Sequence, residues 1–228
     1  MPNIGVMTTG AGVTTTLAGQ AQADAMLVLG DVDTANPLRG IQVEIDGTPY
    51  LNIQNNAVLC AAFAKWQMES ISGTGVVGVA FKIATGRINK NTTYRLTNDG
   101  ATTPAIRVMS DSGNGVPIIA ATKGIVAGGS ESFRKFAALF IDLPANVSSL
   151  EMEFADGEKQ TWQVEDADAR FSLSNQSEAN GRLGTATVID NSDGNIKSVR
   201  VNATTAVTVL VAKIPNSAFK ALRSQLKK

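Results

Sequence analysis

The chain of 228 residues contains no histidine. Histidine is the commonest general base, a frequent metal ligand and the side chain that most often changes its charge near neutral pH. Its absence disfavours a histidine-dependent hydrolase and a histidine-rich metal centre. The motif Gly-x-Ser-x-Gly is also missing, so the nucleophile turn of the α/β-hydrolases is not present.

Cysteine and long apolar runs are scarce as well. Cys60 is the only cysteine, which excludes an internal disulfide and a cysteine-rich zinc site. Because residues 57–63 are mostly apolar, we expect a small buried side chain and not a reactive thiol. No apolar run approaches the roughly 20 residues of a membrane-spanning helix. The first residues lack the charged and apolar regions of a secretion signal, so we expect synthesis in a reducing cytoplasm.

Net charge and aromatic content are low. Twenty basic residues balance twenty acidic ones, and the formal net charge is zero. A surface dominated by nucleic-acid or membrane binding is therefore not expected over most of the chain. Aromatic residues make up 5% of the sequence, which leaves few rings for the exposed platforms that sugar-binding sites use. Hydrophobic residues reach 43%, enough for a globular core.

A strand-and-turn pattern occurs once in each half of the chain. Residues 38–47 read Leu-Arg-Gly-Ile-Gln-Val-Glu-Ile-Asp-Gly, and residues 149–157 read Ser-Leu-Glu-Met-Glu-Phe-Ala-Asp-Gly. Alternating apolar and polar residues predict a half-buried strand, and Asp-Gly predicts a tight turn after it. Each copy also follows a short apolar run and a turn, at 26–29 and 137–143. The sequence therefore predicts a duplicated β unit.

Short strand patterns separated by turn residues fill most of the chain. The exception is residues 56–69, where Asn56 can cap a helix whose apolar side chains fall on one face. These apolar residues are Val58, Leu59, Ala62, Phe63 and Trp66. Strands are predicted at 13–17, 26–29, 41–45, 50–53, 76–83, 93–96, 105–109, 116–120, 136–142, 150–154, 160–164, 171–173, 185–189, 198–201 and 206–214.

This spacing predicts an all-β chain of two tandem jelly-roll-sized β-sandwiches with short helices. Residues 1–22 are interpreted as an N-terminal arm, 23–127 as the first jelly roll and 128–215 as the second. Residues 216–228 are predicted to form a basic C-terminal helix. The Gly-Gly-Ser sequence within residues 123–130 is interpreted as the linker between the two sandwiches.

Two pairs of carboxylates invite a catalytic interpretation. Glu44 with Asp46, and Glu151 with Glu153, are each two residues apart in a predicted strand and therefore point to one face. Paired acids can hydrolyse glycosides. Alternating acids are also typical of the solvent face of any strand. We therefore predict no catalytic residue and no enzymatic activity.

Two clusters of turn residues are weak candidates for a metal-binding site. Asp31, Asp33 and Asn36 could supply oxygen ligands to Ca²⁺, and Asp190 with Asp193 has a similar spacing. Neither matches a calcium-binding EF-hand loop, and such residues are ordinary in β-turns. A glycine-rich stretch at 73–78 precedes a strand pattern instead of a helix, so no dinucleotide cofactor is expected.

The whole pattern resembles the double jelly-roll major capsid proteins of membrane-containing icosahedral bacteriophages of the corticovirus type. The resemblance rests on the paired segments at 38–47 and 150–157 and on the helix pattern at 56–69 that follows the first of them. It rests also on the last strand of each half, at 105–109 and 206–214.

The resemblance covers about residues 13–215 and implies two eight-stranded sandwiches standing side by side. Three copies of the chain would form a homotrimer of pseudo-hexagonal outline that tiles an icosahedral shell. Its partners would be neighbouring capsomers and penton or minor capsid proteins, and its location the virion capsid. Three alternatives stay open: a minor capsid protein, one jelly roll beside a different β domain, and a carbohydrate-binding or adhesin-like module.

Positive charge is concentrated at the C-terminus. Lys220, Arg223, Lys227 and Lys228 lie there, and no acidic residue follows Asp193. Apolar residues recur every three or four positions in the same segment, which predicts an amphipathic helix. One interpretation is a foot that touches the internal viral membrane or the packaged genome. The other is a helix packed on the base of the protein itself.

Overall fold

The structure is a computed structural model that describes residues 3–8, 14–18, 23–29, 38–54, 56–70, 81–88, 91–98, 105–111, 118–163 and 186–214. In the first half these residues form β1 (Asn3–Thr8), β2 (Thr14–Ala18), β3 (Ala23–Leu29), β4 (Leu38–Ile45), β5 (Thr48–Ile53), α1 (Ala57–Ser70), β6 (Phe81–Ile88), β7 (Thr92–Asn98) and β8 (Ala105–Asp111). In the second half they form β9 (Ile119–Ile125), β10 (Ser130–Arg134), β11 (Ala138–Ile141), a short 3-10 helix (Pro144–Asn146), β12 (Val147–Phe154), β13 (Lys159–Trp162), β14 (Thr187–Asp190), β15 (Ile196–Ala203) and β16 (Val207–Lys213).

The strands of the two halves have the same spatial order. The first half has the order β1-β8-β3-β6 in one sheet and β5-β4-β7-β2 in another, and the second half has β9-β16-β11-β14 and β10-β15-β12-β13. In each half, the first, third, sixth and eighth strands therefore share one sheet, and the other four share the second. This order is that of a jelly roll. The prediction of an all-β chain with two tandem jelly rolls is confirmed.

Strands β1 and β2 lie within residues 1–22, which the sequence pattern predicts to be an N-terminal arm. β1 pairs antiparallel with β8, and β2 pairs antiparallel with β7. Both are edge strands of their sheets. Residues 3–8 and 14–18 of the predicted arm therefore belong to the sheets of the first roll.

Strand β9 links the two halves. The sequence pattern predicts that it belongs to the first roll, before a linker at 123–130. In the structure it pairs antiparallel with β16 from Ile119 to Ile125, and it pairs in parallel with β5 at Ala120 and Ala121. By its pairing, β9 is the first strand of the second roll. The Gly-Gly sequence lies in the turn between β9 and β10 and does not link the two rolls.

Both predicted Asp-Gly turns are present, and each joins the fourth strand of its half to the fifth. The first has two residues, Asp46 and Gly47, with φ of 51° and 75°, as in the tightest hairpins. The second is longer: Gly157 has φ of 94°, and its N–H donates to the carbonyl of Phe154 at 3.1 Å. Similar sequences thus close two different hairpins at equivalent positions.

The core of the second roll lies between its two sheets. Leu139 and Ile141 from β11 face Val199 and Val201 from β15, with Leu150 of β12 beside them, and all five are buried. A second cluster contains buried residues from both halves of the chain. This second cluster includes the helix α1 and is the centre of the candidate site.

Candidate functional site

Helix α1 begins where the sequence predicts. Asn56 caps it, because its Oδ1 accepts a hydrogen bond from the N–H of Leu59 at 2.9 Å. The predicted apolar face is also confirmed: Leu59, Phe63 and Trp66 are fully buried, and Val58 and Ala62 pack against the same cluster. The helix contacts β4 and β6 of its own half and β11 of the other half.

Three aromatic rings meet where α1 contacts the second roll. The ring of Phe140, from β11, stands edge-on to those of Trp66 and Phe63, with centroid distances of 5.7 Å and 6.0 Å. Phe63 and Trp66 lie 6.2 Å apart on the helix. Edge-to-face rings attract each other beyond the free energy of burying their area, so this aromatic cluster joins the two halves.

Strand β11 is buried on both faces for this reason. Phe140 and Ala138 point to the cluster shared with α1, whereas Leu139 and Ile141 point to the core of the second roll. All four residues are fully buried. Residues 136–142, Phe-Ala-Ala-Leu-Phe-Ile-Asp, therefore show a nearly continuous apolar run instead of alternating apolar and polar residues. This pattern is expected for a strand that is covered on both faces.

A polar link accompanies the aromatic cluster. The Nδ2 of Asn56 donates to Oδ2 of Asp142 at 2.7 Å. The Oδ1 of Asp142 accepts a hydrogen bond from the N–H of Thr208 at 2.8 Å. Asp142 is largely buried, and a buried carboxylate is stable only when such donors replace its water shell.

These contacts form what we call the inter-roll seam: α1, the β5–β9 pairing, Phe140 and Asp142. The pairing of β5 with β9 fuses two four-stranded sheets into one of eight strands, ordered β14-β11-β16-β9-β5-β4-β7-β2. The two rolls therefore share a sheet, a core and a hydrogen-bond network.

The carboxylates singled out in the sequence are used in structural contacts. β4 ends at Ile45, so Glu44 lies in the strand and Asp46 in the turn, and the expectation that they share a strand face is wrong. The Oδ1 of Asp46 accepts from Nδ2 of Asn91 at 2.7 Å. A left-handed turn residue cannot continue the alternation of the strand, which explains the difference.

Glu151 and Glu153 do share a face, on the outer surface of the sheet β10-β15-β12-β13. Glu151 accepts from Nδ2 of Asn202 at 2.9 Å, and its carboxylate lies 3.9 Å from Arg200. Lys197 pairs with Glu153 at 2.5 Å and lowers its pKa below the ordinary range, chiefly through this hydrogen bond. A general acid needs the opposite shift, so the pair fits a solvated polar face.

The second metal candidate is a pair of turns. Asp190 accepts from the N–H of Ser192 at 2.9 Å, and Asp193 accepts from the N–H of Asn195 at 3.0 Å, the local bonding expected of Asp in turns. Across the described ranges, no cluster of three or more metal-ligating side chains occurs. Asp31, Asp33 and Asn36 lie outside the described residues, as do Lys220, Arg223, Lys227 and Lys228.

The remaining sequence predictions concern burial. Cys60 is buried in the shared cluster, and burial raises the pKa of its thiol far above the ordinary value. Trp66 and Tyr94 are fully buried, and Trp162 is half-buried beside Phe154. In the part of the chain that the structure describes, no helix is long and apolar enough to cross a membrane.

The sequence matches no protein-family model, and no curated protein matches it either. Among solved structures, the chain is similar to the major capsid protein P2 of bacteriophage PM2. The TM-score is 0.59 with 12% sequence identity, over 92% of this chain and 94% of that one. At this identity the likeness shows the fold alone.

Two other solved structures are much less similar. A conserved protein of unknown function from Pseudomonas aeruginosa gives a TM-score of 0.27 and 6% identity, over 92% of this chain and 82% of that one. The Sulfolobus Turreted Icosahedral Virus structure gives 0.23 and 8%, over 92% and 59%. At these TM-scores, neither structure indicates a fold or a function for this chain.

Proposed function

We propose that this chain is a viral major capsid protein with no enzymatic activity. The observation that carries the proposal is the inter-roll seam, because it joins two eight-stranded rolls through one shared sheet and one shared core. A capsid subunit needs a defined outer shape and does not need a catalytic cleft. The similarity in fold to the PM2 coat protein, over nearly the full length of both chains, supports the same role.

The working unit that we propose is a homotrimer of pseudo-hexagonal outline, in which six rolls form a tile of an icosahedral shell. Its partners are other capsomers and penton or minor capsid proteins, and its location is the virion capsid after synthesis in the host cytoplasm. The basic tail, with Lys220, Arg223, Lys227 and Lys228, is proposed to face the internal membrane or the genome.

Solution mass tests this assembly. Sedimentation or light scattering of the purified protein is expected to give about three times the chain mass of 23.8 kDa, and negative-stain images should show six-lobed particles. A stable monomer at micromolar concentration would contradict the trimer. Copy number per virion separates a major from a minor capsid protein.

The alternative of a carbohydrate-binding or adhesin-like module has less support. A sugar platform needs exposed rings, and Trp66 and Tyr94 are fully buried. Trp162 is half-buried, and its Nε1 donates to Gln160 at 2.6 Å. Binding to a glycan array without self-assembly would favour this alternative over a coat protein.

A further inference from the structure

A cleft of about 400 Å³ opens between the two sheets of the second roll. Ile119 and Ala121 of β9 and Val211 of β16 line one side, and Phe133 of β10 lines the other. Ile119 is 39% exposed and is one of three exposed large apolar side chains among the described residues, with Val126 and Leu143. The cleft has the size of a small binding site and offers apolar surface to an occupant.

The rim of the cleft is positively charged. The lining contains three basic residues, Lys123, Arg134 and Lys213, and one acidic residue, Glu131. Three positive charges and one negative charge give these residues a formal net charge of +2. Glu131 lies 2.5 Å from Nζ of Lys123. Within the described ranges, the exposed Arg134 and Lys213 form no ion pair with an acidic side chain. Such a rim attracts an anionic occupant.

The backbone beside the cleft indicates what kind of occupant fits. Among the strands that the structure describes, β10 is at the edge of its sheet and pairs only with β15. An edge strand presents unpaired backbone N–H and C=O groups, to which an extended peptide can add as a further strand. A phosphate or a lipid headgroup would use the cations of the rim but neither the strand edge nor the apolar lining. The three features together favour a peptide.

We propose that this cleft binds an extended segment of a partner protein, in which apolar residues alternate with acidic ones. The segment adds as a strand beside β10, its apolar side chains contact Ile119, Phe133 and Val211, and its carboxylates lie within reach of Arg134 and Lys213. The basic C-terminal segment of a second copy would be repelled by this rim. The proposal does not require that the chain form a shell.

Fluorescence anisotropy with the full-length protein and two labelled peptides tests the proposal. One peptide alternates valine with glutamate, and the other alternates valine with lysine at the same length. We expect the acidic peptide to bind and the basic one not to bind. The double variant Arg134→Glu with Lys213→Glu should weaken binding about tenfold or more. Arg95→Glu, at an exposed position in the first roll, should leave the affinity unchanged.

A third peptide tests the strand edge. The acidic peptide carrying N-methyl groups at alternate backbone positions cannot complete a β ladder, so it should bind at least about tenfold more weakly. Equal binding of all three peptides, or no binding of the acidic one, would overturn the proposal. So would full affinity in the double variant, once its thermal melt has shown that it is folded. Binding of anionic phospholipid vesicles without peptide binding would assign the rim to a lipid surface instead.

Discussion

Asn56 caps helix α1 of the first roll and at the same time holds Asp142 of the second. Its Oδ1 accepts from the N–H of Leu59 at 2.9 Å, and its Nδ2 donates to Asp142 at 2.7 Å. Asp142 in turn accepts from the N–H of Thr208 at 2.8 Å. A single amide therefore satisfies a helix terminus and a largely buried carboxylate, and the two functions can be separated by mutation.

Two substitutions at Asn56 make that separation. Asn56→Ala removes both hydrogen bonds and should lower the free energy of unfolding by about 2–3 kcal/mol. Asn56→Ser keeps a capping oxygen but is too short to reach Asp142, so it should cost about 1–2 kcal/mol. Equilibrium urea denaturation measures both. A serine variant as stable as the wild type would mean that the bond to Asp142 contributes nothing.

The aromatic cluster of the seam should make the two rolls unfold together. Phe140→Ala leaves a cavity between β11 and α1 and is expected to cost about 3–5 kcal/mol. Phe154→Ala, at a half-buried position, serves as the control and should cost about 1–2 kcal/mol. Near- and far-ultraviolet circular dichroism should report one transition, shifted as a whole. Two separate transitions would show that the rolls are independent.

The two Asp-Gly turns depend on backbone conformations that only glycine adopts readily. Gly47→Ala and Gly157→Ala place a side chain at φ of 75° and 94°, with open space around the new Cβ. Each should cost about 1 kcal/mol through backbone strain alone. Gly124→Ala, in β9 with open space and no positive φ, is the matched control and should change stability by less than about 0.5 kcal/mol. Equal effects at all three positions would exclude turn strain as the cause.

Burial should make Cys60 unreactive in the folded protein. It is surrounded by the shared cluster and its pKa is raised by desolvation, so the nucleophilic thiolate is scarce at pH 8. Iodoacetamide is expected to modify it only in denaturant, as measured by mass spectrometry. Stoichiometric labelling of the native protein within minutes would contradict the burial of this side chain.

The outer polar face predicts a specific pH dependence. Lys197 donates to Glu153 and lowers its pKa, so this pair stabilises the fold above the unfolded pKa of the glutamate. The contribution is lost as the pH falls through the lower folded pKa, and it is small because the pair is exposed. Carboxyl titration by NMR should show the midpoint rising in Lys197→Ala and staying low in Lys197→Arg. An unchanged midpoint in Lys197→Ala would remove Lys197 as the cause.

The features that the sequence predicts correctly depend on residues that are close together along the chain. The hairpin after β4, the cap at Asn56 and the buried face of α1 all follow from short patterns, and the structure confirms them. The sequence also predicts a strand at 136–142, and the continuous apolar run at 136–141 is typical of a strand that is buried on both faces.

The seam could not be predicted in the same way. The bond between Asn56 and Asp142 joins residues 86 positions apart, and the pairing of β5 with β9 depends on the path of the whole chain. The linker interpretation of 123–130 is wrong for a related reason. The sequence of β9 alternates weakly, because the apolar Ile119 and the small Ala121 and Gly124 are exposed. Its pairing with β16 shows that the strand continues to Ile125.

The eight-stranded sheet that runs through both rolls has a mechanical consequence. Bending one roll against the other would require breaking the β5–β9 ladder, separating Phe140 from Trp66 and pulling Asp142 from Asn56. These contacts therefore oppose bending between the two rolls of one copy. If many copies form a closed surface, as proposed, its curvature would have to be accommodated at the contacts between copies and not within one copy.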